Sequence, residues 1–220
     1  MSKDADVQHA DDLIRASAVA GEPAGPAWSF TVPRGGALWI PDGGDAGLAW
    51  LDWLTGIESP PAGVVFWKGV EWRQRGPDEA AAERGRMGCV FAAGGLLANL
   101  DMDENAWLPA RCHRRAGAAE AIEKWARFFH CWPLPQERAP AVRERDRRRI
   151  QWIRALAGNP EMLIVERPLR DVPGDDRALF LQAVREARAG GGAVVWLDET
   201  MDAETQAALE PLVRAGPKTT

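Results

Sequence analysis

The stretch Arg149-Ile150-Gln151-Trp152-Ile153-Arg154-Ala155-Leu156-Ala157-Gly158-Asn159-Pro160-Glu161-Met162-Leu163-Ile164-Val165-Glu166-Arg167-Pro168 decides the fold of this chain. Ile150, Ile153 and Leu156 or Ala157 recur at helical spacing. Gly158-Asn159-Pro160 ends that helix, because Gly or Asn accepts the left-handed cap and Pro cannot continue the ladder. Met162 to Val165 is a short apolar run without alternation, the pattern of a strand covered on both faces of a parallel sheet. Glu166 and Arg167 then stand at its carboxyl end, where open α/β sheets place their ligand sites.

Other strands and helices follow from the same reasoning. Residues 13–32 predict two short strands around the break Gly21 to Pro26. Ala37-Leu38-Trp39-Ile40, Val64-Val65-Phe66-Trp67, Met87 to Phe91 and Ala193 to Leu197 read as strands. A helix runs through Trp50, Leu51, Trp53 and Leu54, and Lys68-Gly69 is a turn. Residues 73–86 are a polar helix or loop. Ala118 to Phe129 places Ile122, Trp125, Ala126 and Phe129 on one helical face. Further helices are expected over Asp176 to Ala189 and over residues 203–214, the latter through Leu209, Leu212 and Val213, with a frayed end from Pro217. This alternation is that of an α/β domain with a mainly parallel sheet through Ile40, Val90, Ile164 and Val195.

The 220 residues suit one domain of two lobes, 13–220, behind a polar tail of residues 1–12. A net charge of −5 gives no reason to expect nucleic acid as a partner. No apolar run approaches the ~20 residues that span a bilayer. The N-terminus is acidic and unlike a signal peptide, and three cysteines without framework spacing suit a reducing cytoplasm. Cys112-His113 and His130-Cys131 match no zinc spacing, so no metal site is expected. Eleven tryptophans accompany no tyrosine, with no functional account from sequence. Trp28 is read as packed beside Phe30. Arg143, Arg145, Arg147, Arg148 and Arg149 form a basic cluster, either a solvated helix face or a partner for acidic groups or lipid phosphate.

Helix, stop, strand and Pro168 together resemble the ATP-binding subunits of ABC transporters, in which an ARALAxxP helix leads into the Walker B strand. The resemblance covers roughly residues 27–202. It implies a P-loop NTPase-like fold with a small helical lobe over about residues 92–145. Thr55-Gly56-Ile57 and Pro60-Pro61-Ala62-Gly63 match that family's outline downstream of its phosphate loop. Gly94 to Pro109 keeps the outline of its "LL..LtvxENvxlP" segment, most like bacterial lipid-transport and lipoprotein-release ATPases. In such proteins this segment borders the groove for the permease, which nominates Leu96, Leu97, Leu100, Trp107 and Leu108 as a docking surface.

The chemical residues of the same family are replaced. A strand, a Gly-rich loop and a helix at Ala37 to Leu54 are the setting of a phosphate loop. Yet Gly47 takes the place of the Walker A lysine and Leu48 that of the magnesium-binding hydroxyl. Only Gly43, Gly44, Ala46 and Gly47 remain for any nucleotide contact, and Asp42 and Asp45 add negative charge. A unit charge pair near 4 Å is worth about 1 kcal/mol in water and about 4 kcal/mol at a surface-like dielectric. These changes therefore cost affinity for ATP by orders of magnitude, at about 1.4 kcal/mol per factor of ten. Ala92 stands for the Q-loop Gln, and Glu166-Arg167 for the Asp-Glu pair, so Arg167 takes the catalytic Glu position. Glu199 stands for the switch His, and Val142 to Asp146 for the signature LSGGQ. The resemblance thus implies a degenerate subunit of a membrane transport system, lipid being its cargo class. It would lie at the cytoplasmic side of the membrane and be structural or regulatory, without ATP hydrolysis. Its partners would be a permease and, in a dimer, a second copy or an active ATPase. ATP and magnesium are not expected as cofactors. Two alternatives are weighed. One is an active enzyme whose Glu166, Asp198 and Glu199 form a carboxylate cluster for magnesium or acid–base work. The other is a soluble binding module unconnected with transport. Arg167 is expected to pair with Asp198 or Glu199 across adjacent parallel strands.

Overall fold

A computed structural model describes residues 12–41, 49–93 and 95–217. Two sheets carry the chain. The first is antiparallel, in the order β2-β1-β4-β5, from β1 (Asp12–Ala20), β2 (Trp28–Pro33), β4 (Ala62–Trp67) and β5 (Val70–Glu71). The second is parallel, in the order β6-β7-β8-β3-β9. It contains β3 (Ala37–Ile40), β6 (Met87–Val90), β7 (Met162–Glu166), β8 (Ala193–Leu197) and β9 (Leu212–Arg214). Ile40, Val90, Ile164 and Val195 therefore share one sheet, as the unalternating runs require.

Seven helices are described: α1 (Trp50–Thr55), α2 (Pro77–Arg84), α3 (Met102–Cys112), α4 (Ala118–Phe128), α5 (Glu144–Leu156), α6 (Gly174–Ala189) and α7 (Ala203–Leu209). α1 stops because Gly56 takes φ 65°, and a Cβ there would meet the Trp72 ring at 2.4 Å. α5 is the pivot. Ile150, Trp152, Ile153 and Leu156 are fully covered, and Asn159, at φ 45°, makes the left-handed turn into β7.

The tryptophans have a structural use. Phe129, Trp152, Phe180 and Trp196 form a chain of rings with successive centroids 5.4, 4.7 and 6.2 Å apart. It runs from the end of α4 through α5 and α6 to β8, so the helices rest on the parallel sheet through aromatic contacts. A second group, Trp28, Phe30, Trp50 and Trp53, fills the space around α1.

Several expectations are corrected. The last helix does not run through residues 203–214. It ends at Leu209, because Glu210 is extended before Pro211, which has no N–H to donate. Leu212–Arg214 instead adds a fifth parallel strand beside β3. Asp12 is not part of the tail but pairs with Pro33 in the first ladder. Pro217 is not frayed, since it bridges Trp28. The basic cluster is not a merely solvated face. Arg145 and Arg149 both bind Asp176 of α6, and Arg147 binds Glu144. No helix of the described residues is long and apolar enough to cross a membrane.

Candidate functional site

Parallel pairing of β7 and β8 sets Glu166 beside Leu197, so the residues just beyond both strands meet at one sheet edge. Arg167 continues that pairing by donating its N–H to Leu197 O at 2.9 Å. It does so at φ 43°, an unusual left-handed conformation for a long side chain. Its Nη2 lies 3.3 Å from Glu199 Oε1, with the Arg167 side chain 18% exposed and that of Glu199 56% exposed. Of the two expected partners, Glu199 is the one taken. Asp198 makes no ion pair with it: its main-chain oxygen accepts from Trp39 Nε1 at 2.9 Å, and burial pushes its carboxyl pKa up while the nearby Arg167 charge pulls the other way.

Glu166 turns the other way. Its Oε2 accepts the Ala92 N–H at 3.0 Å, tying the end of β7 to the segment after β6. Glu166, Asp198 and Glu199 therefore do not assemble as one cluster. No group of three or more His, Cys, Asp or Glu residues able to hold a metal occurs among the described residues. Ala92 offers no side-chain oxygen at this edge, and Arg167 is a cation held by a carboxylate. Arg167 cannot accept a proton from water either. A polar cavity of about 350 Å³ opens here, lined by Arg167, Arg170, Arg177, Asp198, Glu199 and Asp202 among others. Gly43, Gly44, Ala46, Gly47 and Leu48 lie outside the described residues.

Trp28 packs edge-on against Trp50, centroids 5.5 Å apart, and is buried, so it is a core ring as expected. The cysteines of the two Cys–His dipeptides are separate in kind, Cys112 exposed and Cys131 buried.

The proposed docking residues divide. Leu96 and Trp107 pack against the main core, and Leu100 is half-buried. Leu97 is 46% exposed. Its backbone is fixed from both sides by the fully buried Asn105, whose Oδ1 accepts the Leu97 N–H at 2.7 Å. Asn105 Nδ2 donates to Leu97 O at 3.0 Å. An exposed leucine is thus held rigidly at the mouth of a groove of about 390 Å³. Leu97 and Leu108 line it together with Met87, Phe91, Pro109 and Cys112, and Arg115 and Arg154 also face it. The sequence reading missed Met87, Phe91 and Arg154 as groove residues. Arg154 was visible only as part of the helix motif, where it reads as structural.

This is the architecture of a nucleotide-binding cassette: a parallel sheet with helices, an antiparallel sheet beside it, and helices inserted between β6 and α5. The chain has the fold of the ATP-binding cassettes of ABC transporters. It resembles a dimeric bacterial ABC transporter cassette, MJ0796, with a TM-score of 0.76, 17% identity, and 91% of this chain and 94% of that one covered. It is also similar to an ABC transporter ATP-binding subunit, with a TM-score of 0.78, 15% identity, and coverage of 93% and 90%. Among curated proteins, the methionine import ATP-binding protein MetN of Caulobacter vibrioides is 27% identical over 162 residues, 70% of this chain and 48% of MetN. The chain therefore spans about half the length of that relative. No protein-family profile matches the sequence.

Proposed function

We propose that this chain is an ABC-type cassette subunit of a membrane transport system that no longer hydrolyses ATP. It docks on a permease at the cytoplasmic face of the membrane and acts there as a structural or regulatory partner. The observation that carries this reading is the Arg167–Glu199 pair at the end of β7 and β8. At the two positions where the resembled family keeps its catalytic Glu and switch His, this chain has a cation and a carboxylate that satisfy each other. Glu166 is meanwhile engaged by the Ala92 backbone. The groove beside α3, with Leu97 held at its mouth, supports docking, since an exposed apolar side chain fixed by buried hydrogen bonds is suited to a partner. The sequence outline of Gly94 to Pro109 favours lipid as the cargo class. The dimer partner is a second copy or an active ATPase subunit.

Calorimetry with MgATP and a phosphate-release assay on the purified chain test the catalytic half. No saturable binding at micromolar nucleotide and no turnover are expected. Micromolar affinity, or turnover abolished by Arg167→Ala, would overturn it. Affinity purification of the tagged chain from detergent-solubilised membranes of its native cell tests the docking half, with absence of any membrane permease among the retained proteins counting against it.

A further inference from the structure

The polar cavity at the ends of β7 and β8 carries equal numbers of opposite charges, yet two of them lack a counter-charge. Arg167, Arg170 and Arg177 line it, and so do Asp198, Glu199 and Asp202. Four of the six are spent on one another. Arg167 holds Glu199 at 3.3 Å. Arg177 binds Asp202, Glu204 and the Thr205 hydroxyl. Asp202 is engaged twice, since its Oδ1 also accepts the Thr205 N–H at 2.8 Å. Arg170 and Asp198 remain. The exposed Arg170 side chain makes no hydrogen bond or ion pair with any described residue. The half-buried Asp198 carboxylate forms no ion pair with one either, and accepts only from the adjacent Glu199 and Thr200 main-chain N–H groups. Leu169 and Met201 give the same cavity an apolar wall.

A half-buried carboxylate without a cation is costly, and an amino group relieves that cost. The planar fork of Arg170 suits a carboxylate or a phosphate equally. We propose that the cavity binds a small zwitterion, a molecule with a primary ammonium at one end and an oxyanion at the other. Asp198 takes the ammonium, Arg170 takes the oxyanion, and Leu169 and Met201 lie against the carbon atoms between. The inference rests on the reading that this edge has given up ATP hydrolysis, and names what the edge holds instead. A volume of about 350 Å³ is at the small end of ligand sites, which suits a metabolite and not a polypeptide segment. A simple anion would find two of the three guanidinium groups already committed. A divalent cation would find no group of three His, Cys, Asp or Glu ligands among the described residues. Arg167 and Asp171, left-handed at φ 43° and 57°, bracket the wall that carries Arg170, and strain of this kind collects at ligand clamps.

Calorimetry of the purified chain tests this with phosphoethanolamine and leucine as zwitterions, and with ethanolamine and inorganic phosphate as single-charge controls. At least one zwitterion is expected to bind about tenfold more tightly than either control. The preferred zwitterion then identifies the oxyanion as phosphate or carboxylate. Arg170→Gln and Asp198→Asn should each weaken that binding about tenfold. Arg170→Gln should leave the Tm unchanged, because the side chain is exposed and unpaired. A control that binds as tightly as the zwitterions would make this a site for one charge only and overturn the inference. No zwitterion binding at millimolar concentration, or binding indifferent to Arg170→Gln, would overturn it too. MgATP turnover would overturn the reading above by itself, whereas a chain inert toward both MgATP and the zwitterions overturns this inference alone.

Discussion

Asp176 in the first turn of α6 and Arg149 of α5 meet at 2.6 Å, with their side chains only 2% and 8% exposed. Arg145 completes the arrangement, its Nε and Nη2 binding both oxygens of the same carboxylate at 2.7 and 2.8 Å. The start of α5 is thereby clamped to α6. Removing the carboxylate leaves a buried arginine without its main partner. Asp176→Ala is expected to cost about 3 kcal/mol in urea unfolding at neutral pH. A loss below about 1 kcal/mol would show that the cluster is weakly coupled to the fold.

The same carboxylate sets a pH dependence. The hydrogen bonds from Arg145, and then those from Arg149, hold Asp176 at about 2, below its ordinary 3.8. A depressed carboxyl pKa contributes stability that is present above 3.8 and is lost as pH falls toward 2. The Tm of the wild type should therefore decline through that window. Asp176→Asn, already less stable at neutral pH, should decline less steeply. Parallel slopes would assign the acid sensitivity to other groups.

The pair at the sheet edge behaves differently. Glu199 is largely exposed, so the Arg167–Glu199 contact is screened by water. Glu199→Gln is expected to change stability by no more than about 1 kcal/mol. Its value as evidence is chemical: MgATP turnover should remain absent in the variant, and turnover appearing there would revive the rearranged-enzyme reading.

Leu97→Asp and Trp107→Ala separate the two roles within the proposed docking segment. Leu97 is exposed, so Leu97→Asp should leave the Tm nearly unchanged and abolish permease co-purification. Trp107 packs against the core, so Trp107→Ala should lower stability by about 2 kcal/mol. A large loss of stability in Leu97→Asp would mean that this leucine fills the core, and would remove the main reason for assigning the chain to a transporter.

Thiol labelling tests the placement of the three cysteines. Burial pushes Cys89 up to about 12 and Cys131 up to about 11, which leaves almost no thiolate at pH 8. Cys112 is exposed. One thiol per native chain is expected to react quickly, and three after denaturation. Two fast thiols in the native state would contradict the packing around β6 or after α4.

The helix through Arg154, the stop at Gly158-Asn159-Pro160 and the strand after it were readable from sequence. Each depends on periodicity, cap chemistry and apolar runs within a few residues. The parallel sheet followed, since Ala37–Ile40, Met87–Val90, Met162–Val165 and Ala193–Leu197 share that signature. The Arg167–Glu199 pair was accessible because parallel pairing brings equivalent strand ends together. Other features depended on how separate elements pack. Pro211 marked a helix stop, but nothing local announced that Leu212–Arg214 would add to the sheet beside β3. The run of arginines gave no sign that two of them would share Asp176, because that contact needs α5 and α6 at one particular rotation. Leu96 and Leu97 are alike in sequence, but the buried Asn105 fixes the turn that sends one to the core and the other to the groove. Local sequence determined the elements and their order, because it sets backbone propensity and the apolar face. Only tertiary structure decided which charges found partners, because that depends on distances between residues far apart in the chain.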